Sequence, residues 1–400
     1  MADIKVFAKS IEPEALAQVE LLLAQPAFRE CKVRIMPDVH AGKGCVIGFT
    51  ANLGDKVIPN IVGVDIGCGM LVTELGEQPL DLRHVDRIIR QDIPFGRNVH
   101  ERADAYTALN DLACRQALKD MDRLSCSIGT LGGGNHFIEI DADEAGMQYL
   151  VIHTGSRSLG KQVADYYQDL AIDLQLGKRK LLADQAALIA EYAALGRNAE
   201  LQDAIKRLKI ENQSIKNSAV KGLCYLEGDW REDYLHDMRI CQAFAVANRA
   251  RIRDILCGGI GLDLDRAREA SFESIHNYID MGSGIVRKGA IDASSGKRLL
   301  IPLNMRDGCI IGVGKGNEDW NCSAPHGAGR RLSRSQAKAK LSMEAYRQEM
   351  SGIFTTSVSE ETLDEAPDAY KPADEILSLL NETVTVERVI KPVYNFKASE

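Results

Sequence analysis

The sequence predicts an α+β fold in a single large domain, with mixed sheets around a central cleft. Short apolar runs punctuated by glycine fill the first 160 residues and return over 283–320, a pattern typical of buried strands. Between them, residues 160–252 are rich in Ala, Leu, Lys, Glu and Gln and poor in glycine, which favours helices. No internal repeat or flexible linker interrupts the chain, so we expect one integrated domain over residues 1–400.

The first 160 residues contain both helix and strand patterns. Apolar spacing over 13–24, with Pro13 near its start, predicts a helix, and similar spacing predicts a helix over 104–120. The short apolar runs 45–50 and 149–152 predict buried strands.

The remainder of the chain alternates in the same way. The segment 178–215 predicts a helical hairpin inserted in the domain, with a break near 196–198. Residues 331–348 predict helix again, and 386–397 predict a terminal apolar strand.

The composition, with 45% hydrophobic and 26% charged residues, is that of a soluble globular protein. No apolar run approaches the roughly 20 residues of a membrane span, and the amino terminus lacks the pattern of a signal peptide. Ten cysteines without a paired framework suit a reducing compartment. We therefore expect a cytoplasmic protein that does not bind membranes. The net charge of −8 argues against a generic nucleic-acid coat but allows a local basic cleft.

Five side chains in or near glycine-rich segments are candidate metal ligands: Asp65, Cys68, His136, His153 and His276. Asp65 and Cys68 follow the largely apolar run 58–64, so a carboxylate and a thiolate can converge at a strand end. The last histidine is expected on a helix. A thiolate can bridge two ions, and the set suffices for two ions with open positions for substrate oxygens. One thiolate among imidazoles ordinarily favours zinc, cobalt or ferrous iron over manganese.

The segment 321–330 places His326 among small residues, with arginines just behind it. An unencumbered imidazole beside a cation suits attack on phosphorus. The glycines let a phosphate approach the backbone closely, and Arg330 offers a planar donor fork that matches phosphate oxygens. Taken alone, the segment also fits an ordinary loop at the start of a helix.

Six such segments resemble, in order and across nearly the whole chain, the RtcB family of GTP-dependent RNA ligases. They are 36–44, 63–70, 132–139, 153–160, 274–278 and 321–330. The resemblance implies joining of RNA 3′-phosphate or 2′,3′-cyclic phosphate ends to 5′-hydroxyl ends, in RNA repair or tRNA splicing. It also implies GTP and two manganese ions as cofactors, with zinc as a tight competitor.

The resemblance assigns roles residue by residue. The five candidate ligands match the family's metal ligands, and His326 matches the histidine that becomes bonded to GMP. Arg157 and Arg330 match binders of RNA or activated phosphate. The implied nucleotide contacts are Asn135, Glu139, Asn304, Gly327, Ala328, Gly329, Tyr370 and Lys397.

The chain departs from the family at Asn304 and Cys309, where serine hydroxyls are expected. These changes resemble a branch of the family often encoded beside a peptide-release-factor-like protein, which implies repair of a particular cleaved RNA. We expect a monomer and leave open whether a helper protein supports multiple turnovers.

Two other classes of function remain open from the sequence. The first is a metal-dependent cyclic phosphodiesterase that never uses GTP, for which His326 and Lys397 would have no clear task. The second is a non-catalytic RNA-binding homologue. A P-loop NTPase is disfavoured because residues 312–317 lack both the spacing and the hydroxyl of that motif.

Overall fold

The computed structural model of the chain describes residues 2–42, 44–103, 106–211 and 221–398. Its helices are α1 (Pro13–Leu23), α2 (Pro59–Val62), α3 (Leu82–Asp92), α4 (Met121–Ser125), α5 (Arg157–Leu176), α6 (Lys178–Ala194), α7 (Asn198–Glu211), α8 (Asp229–Gly259), α9 (Leu264–Glu269), α10 (Arg334–Lys340), α11 (Met343–Glu349) and α12 (Ala373–Leu380).

The strands divide between two larger sheets and one short pair. They are β1 (Asp3–Val6), β2 (Lys32–His40), β3 (Ile47–Asn52), β4 (Gly69–Gly76), β5 (Phe137–Ala142), β6 (Gln148–Thr154), β7 (Ser271–Ile275), β8 (Asn277–Asp280), β9 (Ile285–Lys288), β10 (Ala290–Asp292), β11 (Arg298–Asn304), β12 (Gly308–Gly314), β13 (Ser323–Pro325), β14 (Phe354–Thr355) and β15 (Val384–Lys397).

One sheet has the order β1-β2-β3-β9-β8, and the larger one has the order β11-β12-β15-β5-β6-β4-β7, with β14 paired to β15. Strands β10 and β13 form the short antiparallel pair. The single residue His276 separates β7 in the larger sheet from β8 in the smaller one. The two sheets therefore meet at this histidine.

The antiparallel order β5-β6-β4-β7 brings distant segments to one end of the larger sheet. The starts of β4 and β5 lie beside the ends of β6 and β7, because neighbouring strands run in opposite directions. In the observed register, Gly69 at the start of β4 pairs with Thr154 on one side and with Ile275 on the other. Side chains at these four strand ends consequently face a common point.

The long helix α8 holds the loops at this end of the sheet. Asn248, which is fully buried, accepts hydrogen bonds from the backbone N–H groups of Gly129 and Thr130 at 2.8 and 2.9 Å and donates to Gly155 O at 3.0 Å. Arg249, also fully buried, donates from Nη1 to Gly67 O and Thr154 O, both at 2.8 Å. Because buried backbone groups need partners, these two side chains fix the loops around the strand ends.

The structure confirms a mixed α and β domain, and it confirms most of the predicted elements. The helix predicted over 13–24 is α1, and the strand predicted over 149–152 lies within β6. The strand predicted over 45–50 begins two residues later, as β3. The regions 283–320 and 331–348 form the expected strands and helices, and the terminal strand is β15.

The helix predicted over 104–120 is wrong. Residues 104 and 105 lie outside the described part of the chain, and the rest forms two short 3-10 turns, Thr107–Asp111 and Arg115–Ala117. Leu112 and Cys114 are both buried although two residues apart, and such a pair would lie on opposite sides of an α-helix. The backbone N–H groups of Ala113 and Cys114 instead donate to the Asp237 side chain at 2.8 and 2.9 Å.

The segment of the predicted hairpin contains α6 and α7, which pack against each other. Gly196 and Arg197 separate them, close to the predicted break. Residues 212–215 of the predicted hairpin lie outside the described residues. No helix of the described part has the length and apolarity to cross a membrane.

Candidate active site

Four candidate ligands meet at the common end of the larger sheet. Cys68 Sγ lies 3.3 Å from His153 Nε2 and 3.6 Å from His136 Nε2. His136 Nε2 is also 3.0 Å from Asp65 Oδ2. A thiol, two imidazoles and a carboxylate at these separations form a donor set that suits a transition-metal ion.

His276 extends this donor set. Its ring centroid lies 5.2 Å from that of His153, and its Nδ1 is buried and has no hydrogen-bond partner among the described residues. A buried polar nitrogen without a partner costs free energy, so this nitrogen fits a metal ligand. The helix predicted at this position is wrong, because His276 joins β7 to β8 and its backbone N–H donates to Cys68 O at 2.9 Å.

Backbone carbonyls orient two of the imidazole rings. His136 Nδ1 bonds Leu131 O at 2.9 Å, and His153 Nδ1 bonds Asn135 O at 3.1 Å. These bonds select the tautomer and direct each Nε2 toward Cys68, as outer partners of metal-binding histidines do. Asp65 lies so close to Gly155 that a Cβ there would sit 2.2 Å from Asp65 Oδ1, which accounts for the glycine.

The pKa shifts of these groups describe their protonation when no cation is bound. Burial lowers the pKa of His153 and of His276 well below the ordinary value, so both rings are neutral. Burial, with the nearby Asp65 charge, raises the pKa of the Cys68 thiol. Burial acts to raise the pKa of Asp65, but the interactions with His136 and the Arg157 charge together outweigh it, so the pKa is lowered. A cation is therefore what would hold the thiol deprotonated here.

His326 follows β13 and lies beside the metal donor set. Its ring centroid is 5.0 Å from that of His276, and its Nδ1 is 2.6 Å from Asp38 Oδ2. Asp38 is fully buried on β2, and its Oδ2 also accepts from the His326 backbone N–H at 3.2 Å. Because Nδ1 is occupied by this contact, Nε2 is the nitrogen that is free to react. The neighbouring Gly329 has φ 75°, and a Cβ there would sit 2.6 Å from Asp38 O.

A cavity of about 590 Å³ opens beside His326 and His153. Every residue that the resemblance implied as a nucleotide contact lines this one cavity: Asn135, Glu139, Asn304, Gly327, Ala328, Gly329, Tyr370 and Lys397. Arg330 also lines it. The structure thus brings together side chains from β5, β11, the His326 loop and the last strand.

A buried carboxylate organises the basic wall of this cavity. Glu365 accepts from Lys397 Nζ at 2.6 Å, from Arg330 Nη1 at 3.1 Å and from the Tyr370 hydroxyl. Burial alone would raise the pKa of Glu365, but Lys397, Arg330 and Arg334 lower it to about 2. A second cavity of about 450 Å³ shares Arg334 and Glu365 with this wall and adds Lys338. Cations thus outnumber carboxylates around Glu365, which suits an anionic ligand.

The other predicted residues lie near these features. Arg157 is behind the donor set, with Nε donating to Thr130 Oγ1 at 3.3 Å and Nη1 3.5 Å from His136 Nδ1. Cys309, expected where the family has a serine, is buried next to Asp141. His40 lines the cavity, and burial lowers its pKa to about 4.

The sequence did not identify four residues that the structure places around the site: Asp38, Glu365, Asn248 and Arg249. Asp38 lies in the glycine-rich segment 36–44, two residues before His40, and this position was a usable signal. The other three lie in segments without glycine or histidine motifs.

A donor set of thiol, imidazole and carboxylate beside a carboxylate-held histidine defines a site suited to metal-assisted group transfer. The family model for "tRNA-splicing ligase RtcB" matches residues 21–121 and 99–398. The chain therefore belongs to the RtcB family.

Individual relatives agree with this membership. The chain is 29% identical to the RNA-splicing ligase RtcB of Escherichia coli K12, over 98% of this chain and 96% of that protein. It is 25% identical to the tRNA-splicing ligase RtcB of Archaeoglobus fulgidus, over 93% and 88% of the two chains. It is also 25% identical to RNA-splicing ligase RtcB2 of an Escherichia coli strain, over 97% and 93%.

Proposed function

We propose that this chain is a GTP- and manganese-dependent RNA ligase acting in RNA repair or tRNA splicing. It joins an RNA 3′-phosphate or 2′,3′-cyclic phosphate end to a 5′-hydroxyl end. The observation that carries the proposal is His326, which is held at Nδ1 by Asp38 at 2.6 Å, lies 5.0 Å ring to ring from His276, and lines one cavity together with His153. The names of the relatives, which are RNA-splicing and tRNA-splicing ligases, support it.

The first step forms a covalent bond to His326. Asp38 accepts the Nδ1 proton, so the Nε2 lone pair attacks the α-phosphorus of GTP. The nitrogen–phosphorus bond forms while the bond to the leaving pyrophosphate breaks. Glu139 lines the cavity, and a carboxylate there is suited to accept hydrogen bonds from the guanine N1 and N2 hydrogens. Covalent catalysis divides one difficult displacement into easier ones.

Arg330 and Lys397 are suited to hold the phosphate groups, since both line the cavity and present cationic donors. The residues Asp65, Cys68, His136, His153 and His276 would hold manganese. When bound, the ions stabilise the charge that develops on the phosphoryl oxygens.

The later steps transfer GMP to RNA. A 2′,3′-cyclic phosphate is first opened to a 3′-phosphate with consumption of one water. An oxygen of that phosphate attacks the phosphorus on His326, and the nitrogen–phosphorus bond breaks. The 5′-hydroxyl oxygen of the second strand then attacks the activated end, loses its proton and displaces GMP.

The test is the intact mass of the protein after incubation with manganese and GTP, and separately with ATP. We expect one added GMP and no added AMP, and loss of the adduct in His326→Ala. That variant should still join RNA supplied with a pre-activated guanosine-diphosphate-linked 3′ end, whereas His276→Ala should fail on both substrates. Opening of cyclic phosphates without any GMP adduct would support the phosphodiesterase alternative instead.

A further inference from the structure

Helix α6 has an apolar face that the described part of the chain leaves exposed. One side of α6 packs against α7, and the half-buried residues of that side are Leu181, Gln185, Leu188 and Tyr192. A second side, the α6 strip, consists of four exposed residues, Leu182, Ala186, Ile189 and Ala193. Each of these follows a residue of the packed side and is therefore turned about 100° around the helix axis. The contact with α7 thus leaves the α6 strip open, with Leu182 58% exposed and Ile189 42% exposed.

The α6 strip has the spacing of a coiled-coil seam. Its residues follow one another at intervals of four, three and four, which keeps them on one line along the helix. Large and small side chains alternate along that line, in the order Leu, Ala, Ile, Ala. The charged residues Asp184 and Glu191 lie about 180° around the helix, so they do not interrupt the strip. This pattern is typical of a helix that packs against another helix.

We propose that the α6 strip binds the α6 strip of a second copy of this chain, as an antiparallel helix pair about a two-fold axis. When the axis passes midway between positions 187 and 188, Leu182 faces Ala193 of the second copy, and Ile189 faces Ala186 of that copy. Each large side chain then packs against a small one, which fills the interface. A parallel pair would instead place alanine against alanine and leave voids. The order of the residues therefore favours a second copy in this orientation.

The length of the α6 strip sets the strength of this dimer. The helix has 17 residues and is about 25 Å long. Covering one helix face of that length on two copies removes roughly 1,000 Å² from water, which is close to the least that a specific interface buries. We therefore expect a weak, reversible dimer with a dissociation constant on the order of 10 µM. This differs from the monomer that we expect from the sequence.

The test is sedimentation equilibrium of the full chain at concentrations from about 1 to about 100 µM, a range that spans the expected dissociation constant. Because two copies with a net charge of −8 repel each other, the buffer contains about 0.15 M salt to screen that charge. The average mass should rise above the monomer mass of 43.9 kDa as the concentration increases. Ile189→Glu should weaken the dimer at least about tenfold, because it places two charges in the apolar interface. The matched control is Ala187→Glu, which adds the same charge at an exposed position of α6 outside the strip and should leave the dimer unchanged.

An exchange of side-chain size tests the antiparallel pairing itself. Ala186→Ile would place isoleucine against isoleucine, and Ile189→Ala would place alanine against alanine, so each change alone should weaken the dimer at least about tenfold. The double variant Ala186→Ile/Ile189→Ala again sets one large residue against one small residue. Its dissociation constant should return to within about threefold of the parent value, since the two positions face each other and their effects are coupled.

Circular dichroism of each variant verifies that its helices are formed. A parent chain that keeps the monomer mass at the highest concentration would overturn the proposal and leave the α6 strip for a different protein. A dimer that survives Ile189→Glu would overturn it too, and so would a double variant that is no stronger a dimer than the two single variants. The proposal does not rest on the ligase reaction, since it concerns self-association alone.

Discussion

At the scale of single residues, His326 depends on a partner 288 positions away in the chain. Asp38 Oδ2 contacts both Nδ1 and the backbone N–H of His326, so one buried carboxylate sets the tautomer and the ring orientation. Glycine, histidine and arginine near position 326 predict from the sequence that His326 is the nucleophile. The carboxylate that orients it could not be assigned, because pairing between β2 and the β13 loop is a property of the folded chain.

Asp38→Asn should slow formation of the histidine–GMP adduct. Loss of a charge-assisted hydrogen bond costs about 2 kcal/mol, which is roughly thirtyfold in rate. Single-turnover guanylylation followed by intact mass measures this, and manganese content should stay unchanged because Asp38 contacts none of the proposed ligands. Asp265→Asn is the control, since that side chain is 86% exposed. An unchanged rate in Asp38→Asn would remove Asp38 from the mechanism.

Glu365 should make stability depend on pH in the acid range. Burial opposes its ionisation, but Lys397, Arg330 and Arg334 lower its pKa to about 2 from an ordinary 4.5. A depressed folded-state pKa gives stability that is present above the ordinary pKa and is lost as the pH falls toward the folded pKa. The contribution at neutral pH is about 3 kcal/mol.

Urea unfolding of the parent and of Glu365→Gln checks this contribution. The difference in free energy of unfolding should be largest at neutral pH and should shrink below about pH 4.5. A difference that is independent of pH would show that Glu365 acts through packing rather than charge.

At the scale of secondary-structure elements, α8 is the support of the ligand loops. Asn248→Ala would leave the backbone N–H groups of Gly129 and Thr130 and the carbonyl of Gly155 without their partner. We expect a loss of about 2–4 kcal/mol in the free energy of unfolding, measured by urea denaturation. Val246→Ala on the same helix is the control, because that side chain is 38% exposed and should change stability little. Equal effects of the two changes would argue against this role.

The helical pair α6–α7 can be removed without stretching the chain. Residues flanking it are close together, since Gln168 Nε2 donates to Lys221 O at 2.9 Å and Gln175 Nε2 donates to Tyr225 O at 2.7 Å. Replacing 178–220 with a short Gly-Ser linker should preserve the GMP adduct, because none of the described residues of the pair lines the cavity. RNA choice in ligation assays should change instead. A folded deletion variant that forms no adduct would contradict this.

Local sequence patterns predicted the elements whose apolar residues form one helical face or one continuous run. They failed where contacts between distant parts of the chain decide the secondary structure. The helix α1 and the strands β6 and β15 follow from apolar spacing and runs. The segment 271–275 becomes strand β7 because it pairs with β4, about 200 residues earlier, which no local window reveals. The failed helix at 104–120 has the same cause, since Asp237 takes its backbone N–H groups.

At the scale of the whole molecule, the net charge is −8, while the first cavity is lined by Arg330, Arg334 and Lys397. The proposed RNA substrate would therefore bind through local charge, and the proposed ligation should weaken with salt. With about three phosphate contacts, raising salt from about 50 to about 200 mM should lower RNA affinity roughly 20-fold, whereas guanylylation should change less.

Lys338, which is 52% exposed beside Asp364, should contribute to this dependence. Lys338→Gln should reduce the slope of log affinity against log salt by about one, as measured by fluorescence anisotropy. Arg268→Gln, a surface change on α9 where Arg268 pairs with Asp254 and Asp265, should leave the slope unchanged. Equal slopes in the parent, Lys338→Gln and Arg268→Gln would exclude Lys338 from contact with the RNA phosphates.

His276 lies between β7, an edge strand of the larger sheet, and β8, an edge strand of the smaller one. The candidate active site therefore takes residues from both sheets. Cys68 and His136 directly precede β4 and β5 of the larger sheet and His153 lies on its β6, whereas Asp38 lies on β2 of the smaller sheet. The distance from His326 to the candidate metal ligands therefore depends on how the two sheets pack against each other. A substitution that lets one sheet slide against the other would shift His326 and Asp38 relative to the candidate metal ligands, while leaving every one of these side chains in place.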